Sequence, residues 1–309
     1  MSAPRRRRLD AELVRRGLAR SRVEAAGLVD AGAVLVRGQR ATKAASQVDP
    51  ADPLLVEEAS PGDGPTPTEP GAPRRRWASR GAHKLTGALE ACPDLVVAGR
   101  RALDAGASTG GFTDVLLDRG VGRVLAVDVG YGQLAWAVRS DPRVVVLDRT
   151  NVRALGPDVV REHLGDLPDL VVADLSFISL RLVLPALAAC SAPGADHLLM
   201  VKPQFEVGRD RLGPGGVVRD PAARSDAVTA VAAAAREVGL AVVACAASPL
   251  PGPSGNVEYF LRLRTPGGDP APSGPPALGA AEVEAAVAAA VEHGPTGAAP
   301  TTARAGATS

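Results

Sequence analysis

Residues 101–136, RALDAGASTGGFTDVLLDRGVGRVLAVDVGYGQLAW, confine the chain to a small set of folds. Ala102, Leu103 and Ala105 form a short run of small apolar residues. Three glycines follow, Gly106, Gly110 and Gly111, where backbone can turn through positive φ and approach a ligand with no Cβ in the way. Phe112, Val115 and Leu116 then share one face at helical spacing, Gly120 stands where a glycine ends a helix, and residues 124–127 read as a buried parallel strand. Strand, glycine loop, helix and strand in this order predict a βαβ unit whose loop covers a ligand. Asp128 closes the second strand 22 positions after Gly106, near the spacing at which an acidic residue meets ribose hydroxyls in such units.

The glycine spacing separates two kinds of nucleotide-like cofactor. A dinucleotide fingerprint, G-x-G-x-x-G, crowds its glycines so that a helix N-terminus can hold a pyrophosphate. Here Ala107, Ser108 and Thr109 stand between the first glycine and the next pair. The wider loop suits a ligand without phosphates, and S-adenosylmethionine is one: its amino-acid end can lie along residues 106–111 while its ribose reaches Asp128.

The pattern continues beyond this unit. Residues 144–147, 170–173 and 198–201 read as further strands that end in Asp148, Asp174 and Lys202. Helical stretches at 180–189 and 222–238 supply crossovers, and strands at 241–244 and 257–263 complete a doubly wound α/β sheet of about seven strands. Ligands of such sheets bind outside the carboxyl ends of the strands, so these charges and the Gly106 loop are expected to line one crevice.

At 309 residues and 46% hydrophobic content the chain is long enough for two domains. Its net charge of +1 hides a basic end, since positions 1–50 hold eleven Arg or Lys against five Asp or Glu. There Leu9, Leu13 and Val14 form a stripe ending at Gly17, Ser21 to Glu24 has the form of a capping box, and Val23, Ala26 and Val29 mark the inner side of a second helix. Residues 33–36 and 54–56 read as short strands. Arg5, Arg6, Arg7, Arg8, Arg15, Arg16, Arg20 and Arg22 are outward charges able to neutralise phosphates without reading sequence. A Pro- and Gly-rich stretch follows, then a basic cluster with one aromatic that includes Arg76, Trp77, Arg80 and Lys84. The expected organisation is a small α+β module at 5–58, a linker at 59–76, the sheet domain at 77–264 and a low-complexity tail at 265–309 with one helix at 280–292. Cys92, Cys190 and Cys245 are too dispersed for a zinc motif and too few for a disulfide framework, which points to a reducing, cytoplasmic setting. No signal peptide, membrane span or metal cluster is expected, and nothing indicates an oligomer.

Four polar residues, Lys84, Asp174, Lys202 and Glu258, are the catalytic candidates. The methyl of S-adenosylmethionine is already activated by its sulfonium, so a protein using it must chiefly deprotonate or orient the acceptor. A hydroxyl is a poor nucleophile. A neutral lysine could take its proton, provided burial and a neighbouring cation such as Lys84 disfavour the ammonium, with carboxylates fixing its position.

These residues carry a family resemblance. RLDAELVRRGLARSRVEAAGLVDAGAVLVRGQRATKAASQV is similar to an S4 RNA-binding domain. The four polar residues resemble the Lys-Asp-Lys-Glu tetrad of FtsJ-related ribose 2′-O-methyltransferases. SRGAHKL, LDAGASTGGFTD, VDVGYGQLAW, DRTNVR, ADLSFISL, VKPQFEVGR, GGVVRD and GPSGNVEYF all resemble the TlyA family, some of whose members are also called hemolysins. The resemblance covers about residues 5–264 and departs from the family in its long Pro-rich insertion and in Ala78. It implies a Rossmann-like class I methyltransferase fold, S-adenosylmethionine as cofactor, and ribosomal RNA within ribosomal subunits as substrate, methylated at cytidine 2′-hydroxyls. It also implies Lys202 as base, Asp174 and Glu258 as its electrostatic partners, Lys84 as a positioning cation, and residues 106–111, Asp128, Asp148 and Asp174 around the cofactor. A membrane-lytic protein and a non-catalytic RNA-binding module are the alternatives; lysis would need an apolar membrane segment, and the intact tetrad argues against the module.

Overall fold

The computed structural model describes residues 7–19, 22–30, 34–37, 39–49, 52–56, 77–252, 254–267 and 274–295. The expected linker, the tail from 296 onward, Ser21 and the arginines Arg5, Arg6, Arg20 and Arg76 lie outside them. Two compact units divide the chain, Met1–Arg75 and Arg76–Ser309.

In the first unit β1 (Arg7–Arg8) runs into α1 (Leu9–Arg15) and α2 (Arg22–Asp30), followed by β2 (Val34–Val36), β3 (Gln39–Arg40), β4 (Gln47–Val48) and β5 (Leu54–Val56). Strand β1 pairs with β4, and β2 lies between β3 and β5, all antiparallel. Leu9, Leu13, Ala25, Val29, Val34 and Val48 close a small core. Ala25, fully buried, takes the inner position expected of Ala26. The strands β1, β3 and β4 escape a sequence reading because two residues hold no alternation to detect.

The second unit contains α3 (Gly81–Glu90), β6 (Arg101–Ala105), α4 (Gly111–Asp118), β7 (Arg123–Val127), α5 (Trp136–Arg139), β8 (Val144–Leu147), α6 (Pro157–Leu164), β9 (Leu170–Ala173), α7 (Leu184–Ala189), β10 (Asp196–Val201), α8 (Pro203–Glu206), α9 (Pro221–Glu237), β11 (Ala241–Ala247), β12 (Tyr259–Arg264) and α10 (Ala280–His293). Seven strands form one sheet in the order β11-β12-β10-β9-β6-β7-β8, parallel except for β12, which runs against both neighbours. Every residue of β9 and β10 is buried, including Asp196 and His197 at the start of β10, as central strands covered on both faces require. One face packs on α3 and α4 through Leu85, Phe112 and Leu116, and the other on α7, α9 and α10 through Leu187, Val231 and Val287. Strand order reverses between β6 and β9. A crevice opens at that point in doubly wound sheets, and it is where the glycine loop emerges.

Two expected elements shift. The helix at 180–189 is a 3-10 turn, Leu180–Leu182, followed by α7, because Pro185 has no N–H to give to a longer helix and is accepted only in a first turn. The strand expected at 257–263 starts at Tyr259, since Glu258 turns inward to meet Lys84.

The pole opposite the crevice is held by charge. Arg262, almost fully buried, grips Asp94 with two bonds of 2.8 Å and Asp196 at 3.1 Å, while Arg100 and Arg264 also reach Asp196 at 2.9 and 3.4 Å. Removing one partner leaves buried charge uncompensated. Asp196→Ala is therefore expected to destabilise the second unit by roughly 3 kcal/mol in denaturant unfolding; a change near zero would show that the remaining carboxylate, Asp94, suffices.

Candidate active site

Construction of the crevice starts at Gly106. Its φ is +87°, and a Cβ there would lie 2.8 Å from the carbonyl oxygen of Asp174, so the loop leaving β6 can press on the end of β9 only with glycine. The N–H groups of Gly106 and Ala107 both donate to the Val127 carbonyl, at 2.8 and 3.1 Å. Ser108, itself at φ +48°, donates its N–H to Asp128 Oδ2 at 2.8 Å, and Gly130 donates to Oδ1 at 2.7 Å. Two backbone donors thus orient the Asp128 carboxylate, and each oxygen keeps a lone pair for another donor such as a ribose hydroxyl. Asp148 accepts from Gly132 N and Arg139 Nη1, both at 3.2 Å.

Beneath the loop lies Asp104, which was hidden in what reads as a small-apolar run. It is fully buried, accepts the Thr113 hydroxyl at 2.6 Å on Oδ2, and has no hydrogen-bond partner on Oδ1. Burial pushes its carboxyl up to about 7, and the charges of Asp174 and Asp128 add to this while Thr113 opposes it. Asp128 and Asp174 thus face the glycine loop as carboxylates, above an Asp104 that burial shifts toward its neutral form. Their charge disfavours a pyrophosphate and favours a cationic ligand, so the site fits S-adenosylmethionine, whose sulfonium and ammonium groups are both positive.

The four catalytic candidates come together where the carboxyl ends of β9 and β10, the amino end of the antiparallel β12 and α3 meet, but as two separate pairs. Lys202, buried after β10, contacts Asp174 Oδ1 at 2.5 Å and donates to Ser176 Oγ at 2.9 Å. Lys84 projects from the buried face of α3 and meets Glu258 Oε2 at 2.6 Å, with side-chain exposures of 5% and 1%. Glu258, expected as an electrostatic partner of Lys202, is thus paired with Lys84, the expected positioning cation. Gln204, in the turn of helix after Lys202, bridges toward Glu258 Oε1 at 3.5 Å. A Cβ at Gly252 would stand 2.6 Å from Glu258 Oε1 and displace that carboxylate from its place.

Sequence reasoning passed over the loop after Asp174. Phe177 has φ +65° and is 70% exposed, with its ring 5.5 Å from that of Phe205. Such a backbone costs on the order of 1–3 kcal/mol and persists where the surroundings enforce it. Glu206 does so: its buried carboxylate accepts from Ser179 Oγ and Leu180 N, both at 2.6 Å, and from Arg181 Nε at 3.2 Å. Arg80, one of the expected RNA contacts, donates to the Pro251 carbonyl at 2.5 Å, tying α3 to the loop before Glu258. Trp77 packs against the core beside α3 and α4.

A sequence profile of the FtsJ-like methyltransferase family matches residues 77–265, and one of the S4 domain matches residues 7–54. The chain belongs to the TlyA branch of the FtsJ-like methyltransferase family. It is 56% identical over 291 residues to the 16S/23S rRNA (cytidine-2′-O)-methyltransferase TlyA of Mycobacterium tuberculosis, covering 94% of this chain and 99% of that relative. It is 31% identical over 257 residues to Hemolysin A of Brachyspira hyodysenteriae, covering 83% and 99% of the two chains. A solved structure named as a hemolysin, from Streptococcus thermophilus, superposes with a TM-score of 0.65 at 34% identity over 94% of this chain and 97% of that one. The family thus carries both names. Among the described residues no helix is long and apolar enough to cross a membrane.

The Asp104 carboxyl yields a signed prediction. Its folded-state value is raised, so its contribution to stability is complete below the ordinary carboxyl range and is lost as pH rises through about 7. Asp104→Asn, neutral throughout, should melt progressively higher than the parent protein as the pH is raised from 5 to about 8, measured by thermal denaturation without ligand. Parallel curves across that range would show that Asp104 is not a buried, neutralised carboxyl.

Proposed function

We infer that the chain is a methyltransferase that uses S-adenosylmethionine to methylate ribose 2′-hydroxyls of ribosomal RNA, with cytidine as the target nucleotide. The observation that carries this reading is the meeting of the Lys202–Asp174 pair with the glycine loop and its Asp128 carboxylate at one switch point. The M. tuberculosis relative is named for this reaction on both subunits' RNA, and the S4 unit supplies a surface for such a substrate.

Each residue then has a task. Asp128, held by Ser108 and Gly130, accepts the ribose hydroxyls of the cofactor, with residues 106–111 beside its amino-acid end and Asp148 further along the crevice. Bound there, the cofactor supplies a methyl on a sulfonium that needs only a correctly placed nucleophile. Asp174 and Ser176 stand on two sides of the Lys202 amine, which leaves its third position, the lone pair of the neutral form, for the acceptor hydroxyl. Lys202 takes the 2′-proton only after it has given up its own. Lys84 and Glu258, buried and paired, form a fixed wall, and Arg80 ties α3 to Pro251 beside it. Phe177 offers an exposed ring on which a nucleobase drawn out of its stack can rest.

Transfer of labelled methyl from S-adenosylmethionine to isolated ribosomal subunits, with the product nucleoside identified by mass spectrometry, tests the reading: 2′-O-methylcytidine is expected, and base methylation or no transfer would overturn it. Lys202→Ala should abolish transfer while sparing cofactor binding. Lys202→Arg should fail as well, because a guanidinium cannot accept a proton; an active arginine variant would reduce Lys202 to a positioning cation. Asp128→Ala should weaken S-adenosylmethionine binding by roughly 1–3 kcal/mol in calorimetric titration, since it removes an ionised acceptor, and unchanged affinity would place the ribose elsewhere.

A further inference from the structure

The first unit is basic, yet it buries carboxylates directly under its arginines. Asp10, in the first turn of α1, is 4% exposed, and its Oδ1 is fixed to the helix by the Ala11 N–H at 2.7 Å. Two arginines from different elements converge on it. Arg8, on β1, binds it with two bonds, Nε to Oδ1 at 3.1 Å and Nη2 to Oδ2 at 2.8 Å; Arg22, which opens α2, donates Nη2 to the same Oδ2 at 3.0 Å. Both arginine side chains stay largely in solvent, 46% and 59% exposed. Arg15 and Arg16 are held in a similar way by the buried Glu12, but these three lie within one helical turn and Arg16 is only 22% exposed. Arg16 also donates to the Asp52 carbonyl at 2.7 Å, so it is half-buried and tied on two sides.

We propose that Asp10 is a positioning residue for RNA, its buried carboxylate holding Arg8 and Arg22 as a preformed clamp for one backbone phosphate. Because both Nη2 groups bond one oxygen atom, they stand no more than about 6 Å apart, a gap that a phosphate spans with a charge-assisted hydrogen bond to each. Arg22 spends one of its five N–H groups on Asp10 and Arg8 spends two, so donors remain on both for the ligand. The cluster keeps a net positive charge. The hydrogen bond from Arg8 holds the Asp10 carboxyl down at about 2, with Arg22 adding to it against burial, so the brace is ionised wherever RNA is handled. Two guanidiniums ordered before binding lose less side-chain freedom on binding than two free ones.

The inference rests on ribosomal RNA being the substrate and makes a prediction opposite to that of simple charge counting. If arginines act only through their charge, removing an acidic residue from a basic surface tightens binding to a polyanion. If Asp10 orients them, removing its charge loosens it. The test uses the full chain, isolated small and large ribosomal subunits as probes, and binding measured over a series of salt concentrations. Asp10→Asn, isosteric and one negative charge poorer, should bind about 5-fold more weakly than wild type at moderate salt, with a shallower salt dependence as one phosphate contact is lost. Equal or tighter binding would overturn the proposal. Should Asp10→Asn lower the melting temperature of the unit, the double variant Arg8→Lys with Arg22→Lys decides: it keeps Asp10 and both positive charges but loses the planar forks. A loss of similar size supports the clamp, and wild-type affinity overturns it. Absence of both binding and methyl transfer by the wild-type protein would remove the RNA reading itself, an outcome distinct from a tight-binding Asp10 variant.

Discussion

Gly106 lies against the backbone of Asp174, and that contact joins the two halves of the site. On one side of it the loop leaving β6 carries the N–H groups that orient Asp128; on the other, Asp174 holds Lys202 at 2.5 Å. No residue with a Cβ permits this approach, because the carbonyl oxygen would be 2.8 Å from it. Cofactor loop and reacting lysine are thus placed by one backbone contact at the strand-order reversal, where a doubly wound sheet leaves room for ligands.

Charge is distributed around that contact with a consistent sense. The loop is ringed by the carboxylates of Asp128 and Asp174 over an Asp104 that burial shifts toward its neutral form, a field suited to a cationic ligand and hostile to phosphates. The lysines sit beyond the ring, each with its own carboxylate, so that neither is left as an isolated buried charge. At the other pole the Arg262 network does structural work with the same chemistry and no access to the crevice residues. Buried ion pairs at both ends of the sheet therefore have different uses. Only those at the carboxyl ends face the switch point.

The strands, the glycine loop, Asp128 and the four polar residues at strand ends are legible in the sequence, because continuous apolar runs and glycine spacing are local signals. Pairing among the four is not, since whether Glu258 meets Lys84 or Lys202 depends on how α3 lies on the sheet. Asp104 is hidden by its apolar neighbours Leu103 and Ala105, and its importance comes from what packs over it. Ser176, Phe177 and Glu206 lie inside conspicuous motifs, yet the left-handed turn at Phe177 and the carboxylate that braces the loop appear only in three dimensions. Likewise the arginines of the first unit read as free charge from composition, while Asp10 and Glu12 hold four of them in fixed directions.

Whether the Lys202–Asp174 pair delivers a base is decided most directly by the single-turnover rate of methyl transfer to ribosomal subunits as a function of pH, with cofactor and protein in excess. The rate should climb with pH as the lysine loses its proton and then level off, and the climb should vanish in Lys202→Ala together with the activity. A rate that is flat with pH, at full wild-type activity, would contradict proton abstraction by Lys202 and leave the pair as a fixed electrostatic guide for the acceptor.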